Sequence, residues 1–391
     1  MSTPAVQAPS GELEPYSLRE LVSYFLRLGT FGFGGPIALV GYMQRDLVEA
    51  RRWIALKDYK EGLALAQLAP GPLAAQLAIY LGWIDHGILG ATLVAIAFVL
   101  PSFLMVFVLA AFYIAYGGLT WMQGAFYGIG AAVIAIIARS TYKLAKGTLG
   151  TDPLLWGLFL VSALVTARIE REIVWLFVLS GLLAMLAKTR VPKAATFAVV
   201  PWPWLLGGLN GLAPPSTLWR IGTCFAEAGA FVFGSGLAIV PFLHGAVVTQ
   251  LQWLTERQFL DAVAVAMITP GPVVITVAFI GYLVAGPLGG AVAALGVFLP
   301  CYLFVVIPAR YFRRSVHNSK IKAFVDGVTA AAAGAIAGAA FVLGRRAIVD
   351  VPTVLILATI LVVQSRVRAS IEPLVIVCAG AVGIMLTAYR L

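Results

Sequence analysis

The sequence predicts an all-α integral membrane protein built from two homologous repeats, which we expect to have opposite orientations in the bilayer. Of its 391 residues, 61% are hydrophobic and 11% are charged, whereas soluble domains carry about 25% charged residues. Apolar stretches long enough to cross a hydrocarbon core of roughly 30 Å recur from Ser17 to Leu391. The chain therefore lies in the lipid bilayer along most of its length.

Charge and cysteine content exclude several classes of function. The net charge is +10, but the basic residues are scattered in loops between apolar stretches. We expect no nucleic-acid partner and attribute the excess to loops that face the cytoplasm. Cys224, Cys301 and Cys378 stand alone in apolar segments, which leaves neither a disulfide framework nor a paired-cysteine motif. We expect no cofactor, no metal site and no catalytic residue.

Matching motifs recur at a nearly constant distance along the chain. A shift of 200 positions aligns two glycine-rich motifs, two tryptophans and two Pro-Gly-Pro motifs, and a shift of 199 continues the match after one deletion. The aligned pairs include FGFGGP at Phe31 with FVFGSG at Phe231, Trp53 with Trp253, Pro70-Gly71-Pro72 with Pro270-Gly271-Pro272, and Leu100-Pro101 with Leu299-Pro300. This extent of matching indicates a duplication.

The duplication sets the domain boundaries. Residues 1–16 form a polar, acidic tail without the features of a signal peptide, and we expect this tail to be mobile and cytoplasmic. Residues 17–192 form the first repeat and residues 217–391 the second. The intervening residues 193–216 have a marginal apolar length and two prolines in Pro-Trp-Pro, so they form either a linker or a further span.

Each repeat is predicted to contain the same series of elements. Two broken helices come first, either crossing or re-entrant, and two full spans and a hairpin of two short apolar segments follow. In the first repeat these are 17–43, 59–84, 88–115, 121–144, 153–167 and 173–188, and in the second repeat they are 217–243, 258–284, 287–309, 323–344, 351–365 and 371–389.

Loop charges predict that the repeats are inverted. The loop 44–60 carries five basic residues and its counterpart 244–260 carries one, whereas basic residues are absent from 116–121 and abundant in 310–322. Cytoplasmic loops are enriched in Lys and Arg. Because the enrichment switches between equivalent loops, the two repeats should face opposite ways.

The repeated interruptions need a physical reason. Proline removes a backbone hydrogen bond from a helix, and unpaired backbone groups survive in a membrane only where protein or a water-filled cavity surrounds them. A break exposes N–H groups and the positive end of a helix dipole, which attract anions. The two Pro-Gly-Pro motifs and the two glycine-rich motifs could therefore place four half-helix ends around one anion site, although a packed proline kink is the simpler alternative for one motif.

Polar residues inside the apolar segments supply further candidates. Arg27 and Glu227 are repeat counterparts, and they form either an ion pair between the repeats or, for Arg27, an anion contact. Glu61 and Asp261 lie near helix starts, which favours capping over coupling to an ion. The neutral donors Gln67, Gln76, Thr269 and Thr276 flank the Pro-Gly-Pro motifs. They bind either an oxyanion or a neighbouring helix.

The motifs resemble those of the chromate ion transporter family. The first-repeat segments FGFGGPIALVGYMQRDLVEARRWI and YKEGLALAQLAPGPLAAQLAIYLG carry the resemblance, together with FVFGSGLAIVPFL and WLTERQFLDAVAVAMITPGPVV in the second. It covers the chain from about Tyr24 onward. It implies a bacterial inner-membrane protein that exports chromate and has two halves in opposite orientation.

The resemblance also implies functional positions. The matching residues are Phe33, Gly34, Gly35, Pro36, Arg45, Trp53, Gln67, Pro70, Gly71, Pro72, Gln76, Gly82, Phe233, Gly234, Gly236, Trp253, Pro270, Gly271, Pro272 and Gly281. The sequence departs from the pattern at Ser235, where Gly is usual, and at Met267, where Gln is common.

Residue chemistry and resemblance together give one set of candidates. The predicted substrate-binding residues are Arg27, Gly32, Phe33, Gly34, Gly35, Pro36, Gln67, Pro70, Gly71, Pro72, Gln76, Phe233, Gly234, Ser235, Gly236, Thr269, Pro270, Gly271, Pro272 and Thr276. Glu61, Glu227 and Asp261 are candidates for ion coupling or ion pairing.

The predicted function is alternating-access export of chromate, driven by membrane potential, by ion coupling or by both. Sulfate or another oxyanion is the alternative substrate, because sulfate has the same shape and charge. A passive channel and a membrane-bound chromate reductase are further alternatives, and we rank the reductase last. The expected partners are chromate, sulfate in the alternative, and the lipid bilayer. The sequence leaves the oligomeric state open, with a homodimer as one option.

Overall fold

The computed structural model of the protein describes residues 13–33, 35–116, 120–169, 174–188, 217–231, 239–312, 319–348, 350–366 and 372–390. Within these ranges the chain forms helices and turns and contains no strand, which confirms the all-α class. The first repeat contains α1 (Leu18–Phe31), α2 (Gly35–Met43), α3 (Leu56–Leu68), α4 (Leu73–Tyr116), α5 (Thr120–Leu149), α6 (Pro153–Ile169) and α7 (Val174–Lys188). The second repeat contains α8 (Thr217–Phe231), α9 (Ile239–Leu243), α10 (Glu256–Ile268), α11 (Thr276–Phe312), α12 (Ser319–Ala347), α13 (Val351–Arg366) and α14 (Glu372–Arg390).

Local irregularities recur at equivalent positions of the two repeats. A π-helical segment follows α2 at Gln44–Ala50, and another follows α9 at His244–Gln250. Within α4, Gly87 has a φ of +57°, and within α11 its counterpart Gly286 has a φ of +64°. Because these features are rare in ordinary helices, their matched positions support the duplication.

The glycine-rich break in the first repeat makes α1 and α2 fold back on each other. The Tyr24 hydroxyl on α1 donates to Asp46 in the π-helical segment at 3.3 Å. The Arg51 guanidinium lies 5.4 Å from the centre of the Tyr24 ring. On one continuous helix, residues 24 and 46 would be about 33 Å apart. The segment is therefore a hairpin with the glycine-rich motif at its tip.

The Pro-Gly-Pro breaks also lie at the tips of helical hairpins. A Cβ built on Gly62 of α3 would be 2.2 Å from the Tyr80 ring of α4, so these two arms are in close contact. In the second repeat, Tyr113 bonds Asp261 of α10 at 2.7 Å and packs on Phe279 of α11 at 5.4 Å. Both arms of that hairpin therefore lie beside one residue. These contacts give the broken segments a re-entrant geometry.

The helices α4 and α11 each reverse direction shortly after the Pro-Gly-Pro hairpin. A Cβ on Gly82 would lie 2.6 Å from the Gly90 carbonyl oxygen, and a Cβ on Gly281 would lie 2.4 Å from that of Gly289. Eight residues of straight helix would span about 12 Å, so the chain turns sharply at Gly87 and at its counterpart. The arms that follow correspond to the predicted spans 88–115 and 287–309.

The long arms of α4 and α11 pack antiparallel at the boundary between the repeats. Near the start of its arm, Thr92 contacts the Tyr302 hydroxyl at 2.7 Å. Farther along, a Cβ built on Gly290 of α11 would lie 2.6 Å from the Phe107 ring. Later positions of α4 therefore lie beside earlier positions of α11. Equivalent helices run in opposite directions, which confirms the inverted arrangement of the repeats.

The short helices of each repeat cover a long helix of the other. Helices α6 and α7 pack on α12, and α13 and α14 pack on α5. Small residues allow these close contacts: Gly334 lies against the backbone of Phe159, and Gly128 lies against that of Ala379. This reciprocal packing of short helices on the long helix of the other repeat holds the two repeats together.

The outer surface of the described helices suits lipid. Four helical segments are long and apolar enough to cross a membrane, namely Leu73–Tyr116, Trp121–Leu149, Val273–Ala309 and Lys322–Arg345. Large apolar side chains on their outer faces, such as Leu104 and Leu295, are exposed. The predicted multi-pass membrane architecture is therefore confirmed.

The predicted tail and linker lie largely outside the described residues. The last residues of the tail contact the first repeat: the Glu14 N–H donates to the Arg52 carbonyl at 3.0 Å, and the Tyr16 ring stacks on Trp53 at 5.2 Å. Residues 1–12 and the whole linker 193–216 are not described.

We expect Gly90→Ala to destabilise the protein. The added Cβ would lie 2.1 Å from the Gly82 carbonyl oxygen, so the tight reversal of α4 must open. Overpacking of this kind costs about 1–3 kcal/mol. The melting temperature of the protein purified in detergent measures the effect. Gly130→Ala on α5 is the matched control, because its Cβ meets nothing within 4 Å; equal melting temperatures for both variants would contradict the assigned geometry.

Candidate functional site

The Pro-Gly-Pro motifs produce true breaks in the helices. Ala69 and Thr269, which precede each motif, have extended backbones with ψ of 142° and 132°, as expected before proline. The central glycines have φ of +134° at Gly71 and +97° at Gly271. Side chains rarely adopt these angles, which explains why glycine stands at the centre of each motif.

The Pro-Gly-Pro break of the second repeat contacts the glycine-rich break of the first repeat. The Gly271 N–H donates to the Gly32 carbonyl oxygen at 3.0 Å. A Cβ on Gly271 would also lie 2.9 Å from the Ser102 Oγ of α4. The tip of one hairpin therefore sits between the end of α1 and the long arm of α4, at the boundary between the repeats.

The other Pro-Gly-Pro tip has a similar setting. A Cβ on Gly71 would lie 2.9 Å from the Sγ of Cys301 on α11. The Cys301 thiol donates to the carbonyl of Gly229 on α8 at 3.5 Å. Each tip thus packs against the long arm of the opposite repeat, and Ser102 and Cys301 occupy equivalent positions 199 residues apart.

Sequence reasoning did not single out Ser102, and it treated Cys301 only as a buried apolar side chain. The sequence nevertheless contains a signal for both, because each one directly follows a repeated Leu-Pro pair. A small polar side chain at that point can lie close to a glycine backbone.

The glycine-rich motif of the first repeat forms the break between α1 and α2. Gly32 and Phe33 lie in this break, and Pro36 occupies the first turn of α2, where proline is well tolerated. The Phe33 side chain is 38% exposed. Gly34 lies outside the described residues, as do Phe233, Gly234, Ser235 and Gly236 of the second motif.

The predicted neutral donors are mostly engaged within their own hairpins. The buried Gln76 donates through Nε2 to the Pro70 carbonyl, which holds the tip of the first hairpin together. The buried Thr269 and Thr276 donate at 2.7 Å to the carbonyls of Val265 and Val273. A helix break frees carbonyl groups, and nearby donors satisfy them. Gln67 differs from these three residues because its side chain is exposed.

The two acidic candidates of the Pro-Gly-Pro hairpins lie inside helices and do not cap them. Helices α3 and α10 begin at Leu56 and Glu256, earlier than predicted, so Glu61 and Asp261 each occupy a sixth position. Glu61 is half-buried. Asp261 is 4% exposed and accepts a hydrogen bond from Tyr113 of the opposite repeat at 2.7 Å.

Arg27 and Glu227 lie on the outer faces of α1 and α8. Both side chains are exposed, and in the described part of the chain they form no ion pair with each other. The ion pair, one of the two alternatives for these residues, is therefore absent from the described part of the chain. Gly29, about 200° around the helix from Arg27, contacts Phe98 of α4. Arg27 consequently points away from the helix breaks.

Arg27 instead lines a cavity of about 390 Å³ on the outer face of α1. The residues around it are Arg19, Glu20, Ser23, Tyr24, Arg27, Arg51 and Trp53. The Arg51 guanidinium is 4.5 Å from the centre of the Trp53 ring. Sequence reasoning did not select Arg19 or Arg51, although polar residues at positions 19, 20, 23 and 27 recur at helical spacing.

Comparison with known proteins adds the family. The chain matches the Chromate transporter family over residues 19–185 and 219–384. It is 59% identical over 381 residues to the chromate transport protein of Cupriavidus metallidurans, covering 96% of this chain and 94% of that protein. It is 54% identical over 386 residues to the probable chromate transport protein of Synechococcus elongatus, covering 95% and 96%.

A more distant relative is the chromate transport protein of Pseudomonas aeruginosa, which is 33% identical over 340 residues and covers 82% of this chain and 80% of its own. No solved structure matches the chain. Because the matched ranges include both repeats and most of the sequence, the protein belongs to the chromate transporter family.

Proposed function

We propose that this protein exports chromate across the inner membrane of a bacterium by alternating access around a central site at the tips of its helical hairpins. The single observation that carries the proposal is the hydrogen bond from the Gly271 N–H to the Gly32 carbonyl. It joins the helix breaks of two inverted repeats. Three relatives bear names that specify chromate transport, which supports chromate as the substrate.

The chemistry of the breaks suits a tetrahedral dianion. Helix α4 begins at Leu73, and α11 begins at Thr276 after a short 3-10 turn. Their first N–H groups and the positive ends of their dipoles favour an anion without adding a fixed positive charge. The proposed central site comprises the breaks that the structure describes at Gly32 and Phe33, at 70–72 and at 270–272; the predicted motif 233–236 lies outside the described residues.

Alternating access follows from the crossed packing. The tip at Gly271 rests on α1 and α4, and the tip at Gly71 rests on α11. Rocking one repeat against the other separates one tip from its support while the other stays closed. When the tip at Gly271 moves away from Gly32, its N–H becomes available to the substrate. Substrate and tip contact therefore compete for the same donor.

Basic residues indicate which face is cytoplasmic. The contact of Thr92 with Tyr302 places the start of the long arm of α4 at the same face as the end of α11. The basic loop 44–60 comes before the long arm of α4 in the sequence. Lys320 and Lys322 come after the end of α11. Cytoplasmic loops are rich in Lys and Arg, so we assign this face to the cytoplasm.

The membrane potential supplies enough energy for export. One charge that crosses 100 mV gains about 2.3 kcal/mol. A dianion that leaves an interior-negative cell therefore gains about 4.6 kcal/mol, which corresponds to between three and four tenfold steps in concentration ratio. Proton coupling or anion exchange through Glu61, Asp261 or Glu227 is an additional route, but the energetics do not require it.

Sulfate is the alternative substrate, because its shape and charge match those of chromate. The names of the relatives favour chromate. Uptake of labelled sulfate into everted vesicles, with and without chromate as competitor, separates the two. Sulfate uptake that chromate does not inhibit would indicate that sulfate, and not chromate, is the substrate.

We expect Gly71→Ala and Gly271→Ala to lower the rate of chromate transport at least tenfold without loss of membrane insertion. Each alanine would adopt a φ that only glycine accepts readily, and its Cβ would lie 2.9 Å from Cys301 Sγ or Ser102 Oγ. The tips could then no longer seat against the opposite repeat. Initial rates of chromate uptake into everted membrane vesicles measure the effect.

Gly150→Ala is the control for backbone strain. Gly150 has a φ of +49° in the turn after α5, and its Cβ would meet nothing within 4 Å. An alanine there has a conformational cost of about 1–2 kcal/mol, which is smaller than at the φ values of Gly71 and Gly271, and it makes no tip contact. Wild-type rates in both tip variants would rule out the proposed site, as would an equal loss in Gly150→Ala.

The driving force is tested in the same vesicles. We expect chromate accumulation to rise about tenfold for each 30 mV of lumen-positive potential, because two charges move together. A potassium gradient with valinomycin sets the potential at constant pH. Accumulation that follows an imposed pH gradient at zero potential would instead establish proton coupling.

A further inference from the structure

The cavity on the outer face of α1, here called the α1 cavity, has an unusual charge for its position. Three guanidinium groups and one carboxylate surround it, which gives a formal charge of +2. The Glu20 carboxylate accepts hydrogen bonds from Ser17 N and Oγ at 2.8 and 2.7 Å. The one negative group is therefore already engaged as part of a helix cap.

The arginines of the α1 cavity are available for an anion. Arg19 and Arg27 form no ion pair with any residue that the structure describes. Arg51 lies over the rings of Tyr24 and Trp53, at 5.4 and 4.5 Å from their centres, and it also interacts electrostatically with Glu20. A planar guanidinium fixed in this way presents its N–H groups to a ligand. A cavity of about 390 Å³ is large enough for a small oxyanion.

The second repeat lacks this charge. The positions equivalent to the lining of the α1 cavity carry one arginine, Arg220, and one glutamate, Glu227, so their formal charge is zero. Arg27 corresponds to Glu227, and Arg51 corresponds to Leu251. Since the repeats are inverted, the two equivalent surfaces open toward opposite faces of the membrane. The surface of the second repeat that corresponds to the α1 cavity therefore lacks its net positive charge.

The α1 cavity also extends along α1 toward the helix break at Gly32, although its arginines lie on the outer face of that helix. It begins beside Arg19, at the start of α1, on the side that receives the basic loop 44–60. It reaches Arg27, which precedes the break at Gly32 by five residues, or about 7.5 Å of helix. An anion held at Arg27 is therefore near the depth of this break, and it would have to pass around the end of α1 to reach the proposed central site.

We propose that the α1 cavity is a capture site for a tetrahedral dianion at the cytoplasmic face, from which the ion passes to the central site. This inference rests on the proposed function, and it adds a physical reason for efficient loading of chromate at the cytoplasmic face. Positive clefts raise the local concentration and the association rate of anions by about 10–10³-fold. Because the equivalent positions of the second repeat carry no net charge, the cavity favours loading of the dianion at the cytoplasmic face, while the membrane potential drives net export.

The test compares Arg19→Gln/Arg27→Gln with the wild type in everted vesicles, which present the cytoplasmic face to added chromate. We expect the KM for chromate to rise about tenfold while the maximal rate stays within about twofold of wild type. The increase should shrink as ionic strength rises, because salt screens steering. Arg19→Lys/Arg27→Lys preserves the charge and should recover most of the wild-type KM.

Arg220→Gln is the matched control, because Arg220 is an exposed arginine on the equivalent helix of the second repeat. Its KM for chromate added at the cytoplasmic face should not change. An unchanged KM in the double glutamine variant overturns the capture site, and so does a loss of maximal rate in both the glutamine and the lysine variants. If wild-type vesicles fail to take up chromate, the proposed function itself fails, which is a separate outcome.

Discussion

The structure depends on one constraint: a backbone N–H or C=O group at membrane depth must have a partner. Each Pro-Gly-Pro motif violates helical pairing, and the inverted repeats supply the compensation. Gly271 bonds Gly32 across the boundary, and Gln76 satisfies the Pro70 carbonyl within its own hairpin. Pairing within each hairpin and across the boundary between the repeats therefore stabilises the helix breaks, and this boundary is a suitable place for a polar substrate.

Symmetry and asymmetry have separate roles in this chain. The paired breaks, the reversals at Gly87 and Gly286, and the packing of Ser102 and Cys301 are common to both repeats. They suit a site that must open equally well to either side. The charges are not shared, because Arg27 corresponds to Glu227 and the basic loop 44–60 has a nearly neutral counterpart. In our proposal the common backbone geometry moves the ion, the unequal charges raise the affinity for the ion at the cytoplasmic face, and the membrane potential sets the direction.

Most of the architecture was predictable from the sequence. Because the chain is duplicated, each helix break appears twice at equivalent positions, which distinguishes it from a chance proline or glycine. The repeats, their inversion and the broken helices were all predictable from motif spacing and loop charge. The hairpin geometry was not, since a break does not reveal whether the chain continues or returns; the contact of Gly62 with Tyr80 shows the return. Likewise, a linear sequence could not reveal that Arg27 faces away from α4, or that Thr269 and Thr276 donate to their own helices.

A structure of the protein with chromate bound tests the central claim most directly, since anomalous scattering from chromium locates the ion independently of the protein. The account predicts the ion within hydrogen-bond distance of backbone N–H groups at the start of α4 or α11, with the bond between Gly271 and Gly32 opened. An ion bound elsewhere in the membrane domain, with both Pro-Gly-Pro tips still seated on the opposite repeat, would contradict it.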